Sequence, residues 1–473
     1  MNQSSGDHTL LGVRPSPGPG RGAVSPQSSQ DEQRKRSLPG STVRKEGRAI
    51  SKKQIHLAAH FPGVNNTTVW SDPASGSQTD FASFVHFART AERGLFDFLF
   101  LAEGLRLREH RGKIHDLDVV GRPDTLTVLN AIAAVTTHLG LGGTINTTFN
   151  EPYELARQFA SLDHLSGGRA AWNLVTSSDA FTGENFRRGG FLKPEERYER
   201  AQEILDAAKA LWLSDREPVK FESAQFTFAG RATLPPTPQG HPVLIQSGDS
   251  DEGREFGART ADAIFSRHGT VEAGQAFYQN LKGRMPKYGR RPEEITILPA
   301  TTFALGDTEA EARENAERVR REQVSPQTAI AFLEQVWGRD LSSYDPDGPL
   351  PDIEPDPGAT ITRGRVRHEK DPVAVAKAWR ELAEAKGGLS IRELIIETTA
   401  RQSFVGTPKQ VAAQMDEYVQ RDASDGFILV PHLVPGGLDE FVDTVIPELQ
   451  DLGSFRTEYT GPTLRDHLGL AKP

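Results

Sequence analysis

The chain has 473 residues, a formal charge of −9 and no cysteine. That length suffices for one large domain or two or three ordinary ones, the acidic balance gives no reason to expect a nucleic-acid partner, and the lack of thiols excludes disulfides, thiolate nucleophiles and thiolate-bound zinc. No stretch approaches the ~20 consecutive apolar residues of a membrane span, and no apolar secretory segment opens the chain, so a cytoplasmic protein without a membrane partner is expected.

Residues 1–50 stand apart in composition. They are rich in Ser, Pro and Gly and carry the basic clusters Arg34-Lys35-Arg36 and Arg44-Lys45. So few branched or aromatic residues cannot bury enough surface to offset the entropy of ordering, and the segment reads as a disordered N-terminal extension. Its charges are few and no aromatics interleave them, so a solvated tail is preferred to a nucleic-acid arm. Residues 51–473 read as one domain.

From Lys53 onward apolar runs alternate with helical periods. Gln54 to Ala59 is a first strand, followed by a helix from Asp80 to Arg93. Leu95 to Ala102 is a second strand, and a helix from Asp124 to Thr137 follows its long loop. Leu139 to Ile145 is a Gly-rich third strand, and the helix from Glu151 to Leu165 leads through Gly167-Gly168 to a fourth, Ala170 to Val175. The two glycines supply the positive φ that ends a helix cheaply. Next come a helix from Pro194 to Leu213, strands at Pro242–Gln246, Ala261–Ser266 and Ile295–Leu305, and a helix capped at Asp307-Thr308. An acidic, Pro-rich excursion occupies about 338–400. The helix Thr407 to Arg421, an eighth strand Phe427–Val430 and the helix Leu438 to Gln450 complete the order.

Eight strands alternating with helices predict an α/β fold, a (β/α)8 TIM barrel with insertions. A doubly wound sheet would want a glycine-rich nucleotide fingerprint after its first strand, and Ala59-His60-Phe61-Pro62-Gly63 is not one. Barrel enzymes bind ligands at the C-terminal ends of their strands. Those ends carry His60, Glu103, Asn146-Thr147-Thr148, Thr176-Ser177, Ser247-Gly248-Asp249-Ser250, His268 and His432. The set is mostly neutral and hydrogen-bonding, which suits an extended polar cofactor better than a metal or a carboxylate pair. Ser247 and Ser250 flank a glycine where a helix begins, so first-turn N–H groups and hydroxyls could together hold a phosphate; a serine that merely caps the helix is the plainer alternative. His110, His115 and Asp116 lack metal-ligand spacing and read as loop residues. Arg187 and Arg188 could meet an anion or be solvated.

The stretch SLDHLSGGRAAWNLVTS at 161–177 resembles a signature of the bacterial-luciferase-like flavin-dependent monooxygenases, in the branch of nitrilotriacetate monooxygenase, dibenzothiophene sulfone monooxygenase and the pristinamycin synthase large component. AERGLFDFLFLAE at 91–103, RYERAQE at 197–203, QSGDSDEGREF at 246–256, ADAIFSRH at 261–268 and FRTEYTGPTLRDHLGL at 455–470 share the resemblance. It implies a luciferase-like barrel that binds reduced FMN (FMNH2), delivered by a separate NAD(P)H-dependent flavin reductase, possibly only by diffusion. It further implies oxygenation of a small-molecule substrate with O2 through a flavin C4a-peroxy species, in a homo-oligomer (dimer or tetramer).

Residue by residue, the resemblance assigns cofactor contacts to Glu103, Thr147, Thr176 and Tyr198, and the phosphate to Ser247 and Ser250. Two positions depart from the family's pattern. Glu103 stands where an aspartate is usual, and Pro194 where a histidine is frequent. His60 or His268 is the expected substitute in the substrate pocket, while the catalytic residues stay unassigned. The alternatives are a deazaflavin (F420) oxidoreductase of the same fold and a flavin-binding protein without catalysis.

Overall fold

All eight expected strands close on one another. In the computed structural model, which describes residues 52–63, 67–105, 109–110, 113–114, 122–176, 185–186, 194–359, 361–362, 365–366, 371–400 and 402–473, the barrel strands are β1 (His56–His60), β2 (Phe98–Leu101), β3 (Gly140–Asn146), β4 (Ala170–Val175), β5 (Val243–Gln246), β6 (Ala263–Ser266), β7 (Thr296–Thr301) and β8 (Gly426–Leu429). Each strand pairs in parallel with its neighbours in sequence, and β8 pairs with β1 to close the barrel. The N-terminal extension, His115, Asp116, Arg187 and Arg188 lie outside the described residues.

Period-two alternation sorts the side chains. Ala58, Phe98, Phe100, Ala171, Val243, Ile245, Ala263, Leu298 and Ile428 form the interior cluster, together with Leu464 and Leu468 of the C-terminal segment. Gly142 belongs on this inner face because Phe98 takes its space: a Cβ there would stand 3.1 Å from both the Phe98 ring and the Leu99 carbonyl. The opposite faces, among them Leu57, Leu99, Leu141, Trp172, Leu244 and Phe427, join the helix layer in a larger core. That layer includes α1 (Phe81–Arg93), α2 (Thr125–Ala133), α3 (Pro152–Ser166), α4 (Pro194–Trp212), α5 (Asp251–Thr260) and α6 (Val271–Lys282).

The N-terminal ends of the strands are tied by a repeated device. Asp97, Asp262 and Asp425 each precede a strand and accept the backbone N–H of a neighbouring strand, from Leu57 (2.8 Å), Leu244 (2.9 Å) and Ile297 (2.8 Å). Each also meets a cation, respectively Arg456, Arg465 (3.0 Å) and Lys282 (3.0 Å). One carboxylate therefore satisfies an edge donor and a charged partner together, which a neutral side chain could not do.

Three features differ from the sequence reading. The apolar run Ile295–Leu305 is not one strand: β7 stops at Thr301, and Phe303–Leu305 pairs instead with Phe404–Gly406. Thr302 and Ser403 cause the divergence, because each backbone N–H donates to the other's hydroxyl (3.2 and 3.0 Å). Helix α6 and an antiparallel hairpin, Val219–Glu222 with Thr227–Gly230, occupy stretches that the reading left without elements. The excursion, finally, has a core of its own. Helices α7 (Glu309–Gln323), α8 (Pro326–Trp337), α9 (Pro372–Ala385) and α10 (Ile391–Thr399) follow β7, and Val324, Leu333, Trp337, Ala376, Ile391 and Ile395 pack together as a satellite cluster. Helices α11 (Pro408–Gln420), α12 (Asp439–Asp451) and α13 (Leu464–His467) end the fold.

Candidate active site at the barrel mouth

The polar strand ends form an arc from β2 to β5. Glu103, two residues past β2, accepts two hydrogen bonds from Asn146 at the end of β3, from the backbone N–H (3.1 Å) and the side-chain amide (3.0 Å). Burial pushes its carboxyl up from 4.5 to about 7, although those bonds pull it the other way. Desolvation disfavours the anion, and no cation stands among the causes to offset it. Asn146 is itself anchored, its Oδ1 accepting from Phe149 N (2.9 Å).

Thr147 is buried, and its hydroxyl donates to the carbonyl of Val175 (3.2 Å), the last residue of β4. This bond joins the ends of β3 and β4 and sets Thr147 beside the half-buried Thr176. Arg200, two residues after Tyr198, comes up from α4 to hold the same corner. Its Nε donates to the Thr147 carbonyl (2.9 Å) and its Nη2 to the Asn150 carbonyl (2.9 Å), while the guanidinium lies over Phe226 at 4.5 Å.

At β5 the chain turns through Ser247-Gly248-Asp249 into α5. Ser250 is the N-cap, its hydroxyl accepting Gly253 N–H (3.1 Å), so the plain capping role is present. Ser247 donates instead to Asn173 Oδ1 (2.8 Å), and Asn173 in turn donates to Thr144 Oγ1 (2.9 Å). The serine is thereby drawn toward the barrel interior. Tyr198 reaches this turn from α4 and packs at an angle on Phe256, with ring centroids 5.7 Å apart. A Cβ built on either Gly248 or Gly253 would stand 2.9 Å from the Tyr198 hydroxyl. Only with glycine at both positions do the strand end, the helix start and the phenol meet in one cradle. Asp249 directs its carboxylate to Arg254 (2.9 Å).

The two histidines differ. His60 ends β1 and is 3% exposed, stacked on Phe100 with centroids 5.4 Å apart and 6.4 Å from Phe265. Its Nδ1 has no partner at hydrogen-bonding geometry among the described residues. Burial, followed by Arg122, lowers its pKa from 6.5 to about 3, so the ring is neutral. Arg122 spans the ends of β1 and β2, donating to the Pro62 and Ala102 carbonyls. His268, by contrast, lies against Phe277 of α6, centroids 4.4 Å apart, and Phe277 belongs to a cluster outside the barrel. The mouth therefore gathers His60, Glu103, Thr147, Thr176, Tyr198, Ser247 and Ser250, whereas His268 packs on the helix layer.

The profile of the luciferase-like monooxygenases matches residues 64–425. The chain belongs to that family. Nitrilotriacetate monooxygenase component A of Aminobacter aminovorans is 39% identical over 426 residues, covering 84% of this chain and 91% of that protein. Dibenzothiophene-sulfone monooxygenase of Rhodococcus erythropolis strain XP is 37% identical over 452 residues, covering 89% and 98%. Among solved structures, a riboflavin lyase crystallised with modified FMN and riboflavin superposes with a TM-score of 0.73 at 27% identity, over 89% of this chain and 97% of that one. This luciferase-like chain is accordingly an oxidoreductase of the monooxygenase type. Among its described residues, no helix is long and apolar enough to cross a membrane.

Site residues that the strand-end survey missed act through others. Arg200 sits inside the RYERAQE segment, two residues after Tyr198, so its signal was present in that segment. Arg122 left no sequence signal, because its partners are backbone carbonyls. Asn173, inside an apolar strand, reads as barrel support; the bond from Ser247 shows which residue it supports.

Proposed function

We propose that this chain is the oxygenating component of a cytoplasmic two-component monooxygenase. It takes reduced FMN from a separate NAD(P)H-dependent flavin reductase and uses O2 to oxygenate a small organic substrate. The cradle made by Tyr198, Gly248, Gly253 and Ser250 carries the reading. A flavin phosphate needs N–H and hydroxyl donors without an opposing carboxylate, and here Asp249 is turned to Arg254 and Asp251 to Arg284, leaving Glu252 in the first turn of α5 without an ion pair among the described residues. The isoalloxazine ring needs neutral hydrogen-bonding edges, which Glu103, Thr147 and Thr176 offer along the arc from β2 to β4. The residues present thus fit the group. A relative named "component A" implies a second component, and FMN in a structural neighbour supports the choice of flavin.

When bound, reduced flavin supplies the electrons that activate O2, while the protein orients the reactants and excludes water. Glu103, near-neutral and held by Asn146, can donate or accept a proton-bearing hydrogen bond at the ring edge. His60, neutral and set against Phe100, lines the β1 side of the mouth as a candidate substrate contact. Arg200 and Asn173 keep Thr147 and Ser247 in place.

Anaerobic titration with FMNH2 and, in parallel, with reduced F420 tests the reading. FMNH2 should bind at least roughly tenfold tighter, a gap of about 1.4 kcal/mol. Product should form only with reductase, NAD(P)H and O2 together. Tighter binding of the deazaflavin, or hydride transfer without O2, would transfer the assignment to an F420 enzyme. Peroxide release without a product from any substrate would favour a flavin-binding protein without catalysis.

A further inference from the structure

The face of the barrel opposite the mouth contains a second concave site. A cleft of about 380 Å³ opens where the C-terminal ends of α4 and α5, the turn at 290–294 and the last residues of the chain converge. Lys209, Arg259, Arg290, Arg291, Arg465 and Lys472 line it. Against these six cations stand Asp262, Glu293 and Glu294 of the lining, with Asp206 of α4 facing Lys209 and Arg259.

The cations fall into two groups. Arg290 is spent on the carbonyls of Ala258 (3.1 Å), Ala261 (2.7 Å) and Glu294 (2.9 Å), and Arg291 pairs with Glu294 (2.9 Å). Lys209, Arg259 and Lys472 meet no carboxylate at ion-pair distance among the described residues. Arg465 is intermediate. It is only 4% exposed and gives its Nη2 to Asp262 (3.0 Å) and to His241 Nδ1 (3.1 Å), yet its Nε has no partner among the described residues. His241, kept neutral by burial and then by Arg465, adds no charge of its own. Lys209 is half-buried, and burial disfavours its ammonium form, an effect that the nearby carboxylates of Asp262 and Asp206 partly offset. Cations gathered out of water are costly where carboxylates do not balance them, and a bound anion would supply the missing charge.

We propose that this cleft is a binding site for a small polyvalent anion, a phosphate or a dicarboxylate, held by Lys209, Arg259 and Lys472. It is separate from the mouth and independent of the flavin assignment: Lys209 and Arg259 precede β5 and β6 and Lys472 belongs to the C-terminal segment, whereas the phosphate cradle follows β5.

Isothermal titration of the full chain with inorganic phosphate, and separately with succinate, against KCl at matched ionic strength, tests the site. Saturable binding beyond the KCl control is expected. The double variant Arg259→Gln/Lys472→Gln changes two exposed side chains and should fold normally, yet lose about tenfold or more in affinity, since each charge-assisted bond is worth roughly twice a neutral one. Lys209→Gln should act in the same direction; because inorganic phosphate can also enter the cradle at the mouth, Ser250→Ala should leave unchanged only the component of binding that the double variant removes. The stronger of the two anions identifies the ligand as phosphoryl or carboxylate. Heats equal to KCl for both anions, or undiminished affinity in the double variant, would overturn the assignment.

Discussion

The two ends of this barrel treat charge in opposite ways. At the N-terminal end, the three aspartates ahead of β2, β6 and β8 are each paired with a cation and bonded to a backbone N–H group. Asp97 is wholly buried, and despite that burial Arg456, then His56 and the Leu57 N–H, hold its carboxyl down at about 2. At the C-terminal end burial wins. It pushes Glu103 up to about 7 and His60 down to about 3, moving each toward its neutral form. The cause is the partner and not the depth. A buried acid stays charged where an opposite charge and an N–H meet it, and becomes neutral where only amides do. Paired ions tie neighbouring strands together, while the mouth keeps its buried groups near their neutral forms.

Breaking the locked end should produce the largest effect. Asp97→Asn strands Arg456 beside a neutral amide, and losing one partner of a buried pair costs about 3–5 kcal/mol, measurable by urea unfolding. The pH dependence has a definite sign. Because the folded pKa is depressed, Asp97 stabilises the fold above its unfolded value near 3.8, and that contribution is lost as pH falls toward about 2. The variant should flatten stability across that window. FMNH2 affinity of the folded fraction should hold if the two ends are independent.

At the mouth, Gly248→Ala places a methyl where Tyr198 and Gly253 already stand. Overpacking of this kind costs roughly 1–3 kcal/mol, and anaerobic titration should read it as a loss of FMNH2 affinity of about tenfold or more. Glu103→Gln is expected to do less and in the opposite direction on stability. A carboxyl whose pKa is raised from 4.5 to about 7 destabilises the folded state progressively as pH rises through that interval. The glutamine variant should remove that decline and be the more stable protein at about pH 8. Any inflection of flavin binding near pH 7 should vanish with it.

The smallest effect sharpens the contrast. His60 is uncharged well above about pH 3, so His60→Gln should leave the shape of the pH–rate profile unchanged between about pH 5 and 8. A histidine limb that disappeared in this variant would show the ring to be charged, and the mouth less desolvated than its packing on Phe100 indicates.

Much of the architecture was legible because it is local. A barrel strand covered on both faces is a short apolar run, and the run's end is a chemical change in sequence: Val175 to Thr176, Gln246 to Ser247. The cap at Ser250 was equally local, since its bond spans three residues. The break at Thr302 was not, because Ser403, 101 residues away, creates it. Nor was the role of Arg200, which acts on a carbonyl 53 residues earlier. The N-terminal clamps have the same character: Asp97 meets Arg456 across 359 residues.

The sequence by itself determined the alternation of strands and helices, the family, and the strand ends at which polar groups stand, since each depends on residue types within a few positions. Tertiary structure decided which of those groups act together and in what charge state. His60 and His268 both end strands, yet one lines the mouth and the other packs on a helix. Glu103 and Asp97 flank the same strand and differ widely in acidity. Desolvation and pairing are set by neighbours in space, and most of those neighbours are far away along the chain.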